Sequence, residues 1–389
     1  MAKPTTGGTA RTVIENVEVG WSPYTALMRV LIAPDSFGET LTAVQAAEAM
    51  AAGWSAARPE DHIVRAPQSD GGPGFVDVIS DTLGGMRATR VDGPLDRTVD
   101  ARWVLVDSIA YIESAQAVGL GLLGGPPTPD TAVSAHSRGV GQLVAAAADA
   151  GARRIVIGLG GSCCTDGGRG MVAALGGFDR ARRRLTGIDL VAATDVEHPL
   201  LGEHGAARVF GPQKGADAAT VAVLEKRNAA WADELRVACG RDVADLDGAG
   251  AAGGIGAALL ALGAVRESGA AVVARCTDQA RQVAASDIVV TGEGKFDHQS
   301  LRGKLVTALA RAADDAGVPT VVIAGQVAVN RDTVRAAGIV AAFSVADFAG
   351  SVERAMTEAF ERLAALTSCV AGGWRGASGS AQFGPIHEE

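Results

Sequence analysis

The sequence predicts an α/β protein with mostly parallel sheet, and three observations carry that prediction. Short apolar runs recur along the chain, end in glycine-bearing polar loops and lead into alanine-rich stretches of helical spacing. Between about 86 and 114 this rhythm gives way to period-two alternation, which predicts an antiparallel section. The composition is globular, 48% hydrophobic and 20% charged over 389 residues, a length suited to about two domains.

The elements follow in order. Residues 1–27 read as a polar N-terminal extension, and Met28 stands just before the first strand, so translation starting there is an alternative. Residues 29–34 are an apolar run ending in Asp35-Ser36, after which Thr40 or Thr42 can cap a helix reaching about Ala57. Residues 63–66 repeat the strand pattern and end in Ser69-Asp70-Gly71-Gly72. Residues 86–91, 99–106 and 109–113 are the period-two segments, with turns at Asp92-Gly93 and Asp107-Ser108. Residues 155–158 restore the strand-loop-helix rhythm, with a helix from about Gly168. Further strands are expected at 190–195, 287–291 and 320–324, with helices at about 217–239, 299–316 and 351–366. The Gly/Ser-rich stretch 368–389 reads as a flexible tail.

Charge and cysteine usage exclude several classes. Basic residues number 35 and acidic residues 44, a net charge of −9 that argues against nucleic acid or an anionic membrane as partner. The five cysteines (163, 164, 239, 276 and 369) are odd in number, two are adjacent, and none forms a C-x-x-C pair. That suits a reducing cytoplasm better than a disulfide framework or a structural zinc site. The alanine-rich run 250–265 is broken by glycine and reads as core, and the N-terminus lacks a basic-then-apolar leader pattern. There is no G-x-x-x-x-G-K-[ST], H-E-x-x-H or G-x-S-x-G, and the six histidines are scattered.

Glycine carries the functional signal: 51 residues, nearly twice the usual ~7% share. Ser69-Asp70-Gly71-Gly72-Pro73-Gly74 and Thr165-Asp166-Gly167-Gly168-Arg169-Gly170 both read [ST]-D-G-G-x-G after a strand. The second continues Gly158-Leu159-Gly160-Gly161-Ser162, and successive N–H groups of such a loop can face one concavity and hold a phosphate. An aspartate within each loop would repel bare phosphate, which implies a magnesium ion or a hydroxyl proton to remove; a turn or cap role is the competing account. Three further loops gather charge: 194–199 around Asp195, 211–215 with Lys214, and 291–297 with Glu293 and Lys295, followed by Lys304. Carboxylates and lysines beside phosphate-type loops suit phosphoryl transfer. Gly248-x-Gly250-x-x-Gly253 fits a dinucleotide fingerprint literally, but no clean strand precedes it, so helix packing is the better account than a dehydrogenase. The arginines at 180 and 182–184 read as surface.

In order along residues 28–367, these loops resemble the type-1 glycerate kinase family. The matching stretches are Ala33-Pro34-Asp35-Ser36-Phe37, the first D-G-G loop, Gly158 to Ser162 with Asp166-Gly167-Gly168, Asp195-Val196, Pro199 to Gly202, Phe210 to Gly215, Gly248 to Gly254, and Thr291 to Gly294. The resemblance implies phosphate transfer from ATP to glycerate with Mg2+. It also implies a flavodoxin-like domain from both chain ends (28–85 plus 283–367) and an inserted mixed α/β domain (86–282). On that footing Asp166, Asp195, Asp70 and Lys214 are the expected catalytic group, with Asp166 and Asp195 at the metal. Gly158, Gly160, Gly161, Ser162, Gly167, Gly168, Glu293, Lys295 and Lys304 would hold ATP; Asp35, Ser36, Gly71 and Gly72 would hold the substrate. The partners are a small molecule and ATP, with a homodimer allowed. Departures stand at Gly38-Glu39, where the family usually has Lys-Gly, at Pro73 and Phe75, at Cys163-Cys164, at Arg138 and Gln142, and in a short 178–190 segment. These leave a non-catalytic, binding or regulatory member as the alternative.

Overall fold

A computed structural model describes residues 27–302 and 305–374. The chain enters through β1 (Arg29–Ile32) and β2 (His62–Arg65). It then leaves that sheet to build β3 (Met86–Asp92), β4 (Thr98–Val106), β5 (Ile109–Glu113), β6 (Arg154–Gly158), β7 (Asp189–Ala193) and β8 (Val265–Glu267). It returns with β9 (Ile288–Thr291), β10 (Lys295–Phe296), β11 (Thr320–Ala324), β12 (Gln326–Val327) and β13 (Ile339–Ser344). The strands at both ends form a five-stranded sheet, order β13-β11-β9-β1-β2, parallel throughout. In its own chain order this is 2-1-3-4-5, the flavodoxin-like arrangement, whose switch point lies between β1 and β9. The middle strands form a six-stranded sheet in sequential order, antiparallel from β3 to β5 and parallel from β5 to β8.

The side-chain alternation explains the layers. In β5 to β7, Ala110, Ile112, Ile155, Ile157, Leu190 and Ala192 face one core, while Tyr111, Val156, Val191 and Ala193 face the other. The second core is covered by the helices Phe75–Leu83 and Gly269–Cys276, which therefore pack on the six-stranded sheet. The first of these precedes residue 86, where the sequence pattern changes. Val283, from the helix Gln279–Ala284, joins Leu31 and Val289 on the five-stranded sheet instead.

Between β1 and β2 runs the helix Ala43–Ala57, capped by Thr42: its hydroxyl accepts from the Gln45 N–H at 3.2 Å, and Gln45 Oε1 accepts from the Thr42 N–H at 3.0 Å. Its face packs on the helix Ala359–Gly373, with Met50, Trp54, Leu363, Leu366, Val370 and Trp374 in one cluster. This corrects the expected flexible tail at its start. Residues 368–374 are ordered because burying Val370, Ala371 and Trp374 outweighs the glycine content; 375–389, like 1–26, lie outside the described residues. Other readings shift in detail. The helix expected at 351–366 divides into Val352–Thr357 and Ala359–Gly373. The one after Gly168 is short, Arg169–Ala174, because Gly176 and Gly177 (φ 90° each) break it before Phe178–Arg184, whose arginines are exposed. Strands β8 and β13 carry no strong strand signal in sequence.

Where the two sheets meet, backbone touches backbone. A Cβ on Gly160 would lie 2.3 Å from the Gly72 Cα, one on Gly158 2.6 Å from the Gly71 oxygen, and one on Gly269 1.9 Å from the Asp70 oxygen. The loop after β2 is thus locked onto the loop after β6. Overpacking of this kind costs about 1–3 kcal/mol. Gly160→Ala is therefore expected to lose that much stability in urea titration, while Gly121→Ala, with nothing within 4 Å, stays within about 0.5 kcal/mol.

Candidate functional site

The carboxyl ends of β1, β2 and β9 bring Asp35, Asp70 and Glu293 together. The Asp35 N–H donates to the Gly292 oxygen at 2.8 Å, which joins the two loops across the switch point. Burial is the main cause that pushes the Asp35 carboxyl up to about 7; the Ser36 N–H opposes it, and the charges of Asp70 and Glu293 add to it. Asp35 Oδ1 also accepts that Ser36 N–H at 2.7 Å, so the two expected substrate residues form one turn. Asp70 is exposed, with Oδ1 accepting from the Gly72 N–H at 2.9 Å. Asp195 is likewise exposed, with Oδ2 accepting from the Ala270 N–H at 3.2 Å. Because Gly269 packs on the Asp70 carbonyl, the loops of Asp70 and Asp195 are neighbours.

The loop after β6 supplies the cationic half. Gly160 and Gly161 (φ 67°) lie against Gly72 and Pro73, and Cys163 N–H donates to the Val118 oxygen at 2.8 Å. Beneath them Lys214 is 3% exposed. Its Nζ donates to Ser162 Oγ at 3.0 Å and to the Cys164 oxygen at 2.7 Å, and burial is the main cause that lowers its pKa. Both acceptors are uncharged, and an ammonium has three protons to donate. A buried cation without an opposing carboxylate in contact is costly unless an anion completes the site.

Asp166 departs from the role expected of it. Its carboxylate accepts from Ser137 N–H (2.9 Å), Ser137 Oγ–H (2.8 Å), Gly170 N–H (2.9 Å) and Gly168 N–H (3.1 Å), and is 7% exposed. Three donors converge on Oδ2 and one reaches Oδ1, so the carboxylate pins the loop. Among the described residues no group of three or more His, Cys, Asp and Glu side chains could hold a metal. Single carboxylates such as Asp70 and Asp195 are still the kind that share a magnesium ion with phosphate oxygens.

Of the other expected residues, Lys295 is exposed and pairs with Asp297 at 3.7 Å, and Lys304 lies outside the described residues. The segment 248–254 is not a plain helix start: Ala252, Gly253 and Gly254 are all left-handed (φ 49°, 68° and 95°). Gly253 accepts the Gly167 N–H at 3.0 Å, and a Cβ there would sit 2.0 Å from the Cys164 oxygen, so this turn wedges the phosphate-type loop in place. Arg138 and Gln142 both bind the Asp92 carboxylate, at 3.2 and 3.0 Å, which makes that departure a local exchange. Sequence reasoning missed Glu113, a buried carboxylate that accepts from the N–H groups of Gly74 (3.1 Å) and Val76 (3.2 Å). The one available signal was an acid closing an apolar strand.

The chain matches the glycerate kinase family over residues 30–181 and 177–375. It is 59% identical over 346 residues to an uncharacterised protein of Mycobacterium tuberculosis, covering 88% of this chain and 91% of that one. Identity to the glycerate kinase of Halalkalibacterium halodurans is 38% over 357 residues, 85% of this chain and 93% of the relative. To the glycerate 2-kinase of Escherichia coli it is 37% over 364 residues, 86% and 95%. A crystal structure described as a candidate glycerate kinase 2 from Salmonella typhimurium superposes with a TM-score of 0.72 at 33% identity, covering 89% of this chain and 98% of that one.

Hydrogen bonds to a charged group contribute about 1.5–3 kcal/mol each, net. Asp166→Asn turns an amide toward donors and is expected to lose about that much stability in denaturant titration. Asp195→Asn, which keeps an acceptor for the Ala270 N–H, is expected to stay within about 0.5 kcal/mol.

Proposed function

The chain belongs to the glycerate kinase family, and on that premise we propose that it transfers the γ-phosphate of ATP to a hydroxyl of glycerate or a similar small hydroxy acid. The observation that carries this is Lys214, a buried ammonium on the Ser162 hydroxyl and the Cys164 carbonyl, both uncharged partners. Phosphoryl transfer is mainly positioning and charge neutralisation, and this arrangement supplies both. The nucleotide phosphates would lie on Gly160, Gly161 and Ser162, where Lys214 neutralises the charge that moves with the phosphoryl group.

The acceptor would lie between Asp35-Ser36 and Gly71-Gly72. A general base works best with a pKa near the working pH, and Asp35, at about 7, is placed to take the hydroxyl proton. On this reading Asp35 takes the proton-accepting role and Asp166 pins the loop. Magnesium, when bound, would bridge nucleotide phosphates and offset their charge, with Asp70 and Asp195 the carboxylates placed to share it. The product is 2-phosphoglycerate or 3-phosphoglycerate, according to which hydroxyl Asp35 faces. Five free cysteines suit a cytoplasmic setting. Gly38, exposed at φ 59°, and exposed Glu39 favour the second reading, a family member that binds without turnover.

A coupled ADP-release assay with ATP, magnesium and D-glycerate is expected to show turnover, and folded protein that releases no ADP above an acceptor-free blank overturns the proposal. Lys214→Met should lower kcat by about 10²–10³-fold, with a melting curve showing that the variant is still folded. The base must be ionised to act, so kcat/KM is expected to rise with pH up to about 7 and then level, and Asp35→Asn should remove that limb.

A further inference from the structure

Behind the Thr165–Gly167 segment lies the helix Ala218–Cys239, which presents Arg227 and Trp231 four residues apart on one face. Arg227 donates through Nη2 to the Thr165 oxygen and through Nη1 to the Val133 oxygen, each at 2.8 Å. Trp231 Nε1–H donates to the Gly167 oxygen at 2.9 Å, and Lys214 already holds the Cys164 oxygen. Three carbonyls of one short loop, those of Cys164, Thr165 and Gly167, are therefore held by side-chain donors. In a planar trans peptide the N–H points opposite to the C=O, so holding the Thr165 carbonyl sets the direction of the Asp166 N–H, and holding the Gly167 carbonyl sets that of the Gly168 N–H, which donates to Asp166 Oδ1.

Charge points the same way. Arg227 and Lys214 are both within the influence of the Asp166 carboxylate, and Arg169, which also acts on Arg227, is paired with Glu234 at 3.3 Å, so the balance round the loop is one positive charge. Arg227 offsets Asp166, which leaves the charge of Lys214 for a phosphate. A contact kept for stability alone would pair its buried polar atoms, yet Arg227 Nε, the Thr165 hydroxyl and both amide atoms of Asn228 are buried without a hydrogen-bond partner among the described residues.

We propose that Arg227 and Trp231 are positioning residues for the nucleotide phosphates, holding the Thr165 and Gly167 carbonyls out of the anion site while Arg227 balances Asp166. This rests on the reading of Gly160–Ser162 and Lys214 as the phosphate site. The test measures the Kd of MgADP by calorimetry, together with kcat and the KM for ATP and for D-glycerate, in Arg227→Gln, Arg227→Lys and Trp231→Phe. Trp231→Phe keeps an aromatic ring beneath Arg169, now 5.4 Å from the indole centroid, and removes only the donor. Arg227→Gln is expected to raise the Kd for MgADP and the KM for ATP about tenfold, Trp231→Phe about threefold, with the KM for D-glycerate unchanged. Arg227→Lys, which keeps the charge, should recover most of the loss. Melting temperatures that fall while Kd and KM stay at wild-type values, or an equal rise in both KM values, overturn the positioning role. Wild-type protein that fails to bind MgADP overturns the phosphate site itself; wild-type binding matched by every variant overturns only the clamp.

Discussion

Two glycine loops in backbone contact set the rest of the structure. Gly71 and Gly72 end the segment after β2, Gly158 and Gly160 begin the one after β6, and no side chain fits between them. Each sheet alone would expose its strand ends to water. Because these glycines permit contact, the loop that carries Asp70 lies against Gly160, while Asp35, Asp70 and Glu293 act on one another and Lys214 holds Ser162.

Electrostatics divides that place in two. On the five-stranded sheet, burial above all, with repulsion from Asp70 and Glu293 added, raises one carboxyl group, Asp35, to about 7. In the six-stranded half, burial sets a lysine against two neutral oxygens, with no carboxylate in contact to offset its charge. Phosphoryl transfer needs both halves, a proton acceptor at the attacking hydroxyl and a cation at the migrating phosphate. The left-handed turn Ala252–Gly254 and the four hydrogen bonds on Asp166 keep the loop between them fixed.

Much of the fold was legible because its signals are local. Apolar runs marked the buried strands, Thr40 or Thr42 marked a helix start, and the turns at Asp92-Gly93 and Asp107-Ser108 marked the antiparallel strands. The start of the tail was misjudged because composition does not reveal that Trp374 and Val370 fill a cluster shared with Trp54.

For the site, the division has one physical cause. A chain's own neighbours dictate turns and glycine loops, so the sequence by itself determined the D-G-G loops, the phosphate-type glycine run and the α/β frame. Burial and hydrogen-bond partners come from distant segments, and only the tertiary structure could assign them. It made Asp166 a pin, because Ser137 lies 29 residues away in sequence and against it in space. By the same means it made Asp35 the carboxyl group near neutrality and set Arg227 and Trp231, over 60 residues on, behind the loop they hold.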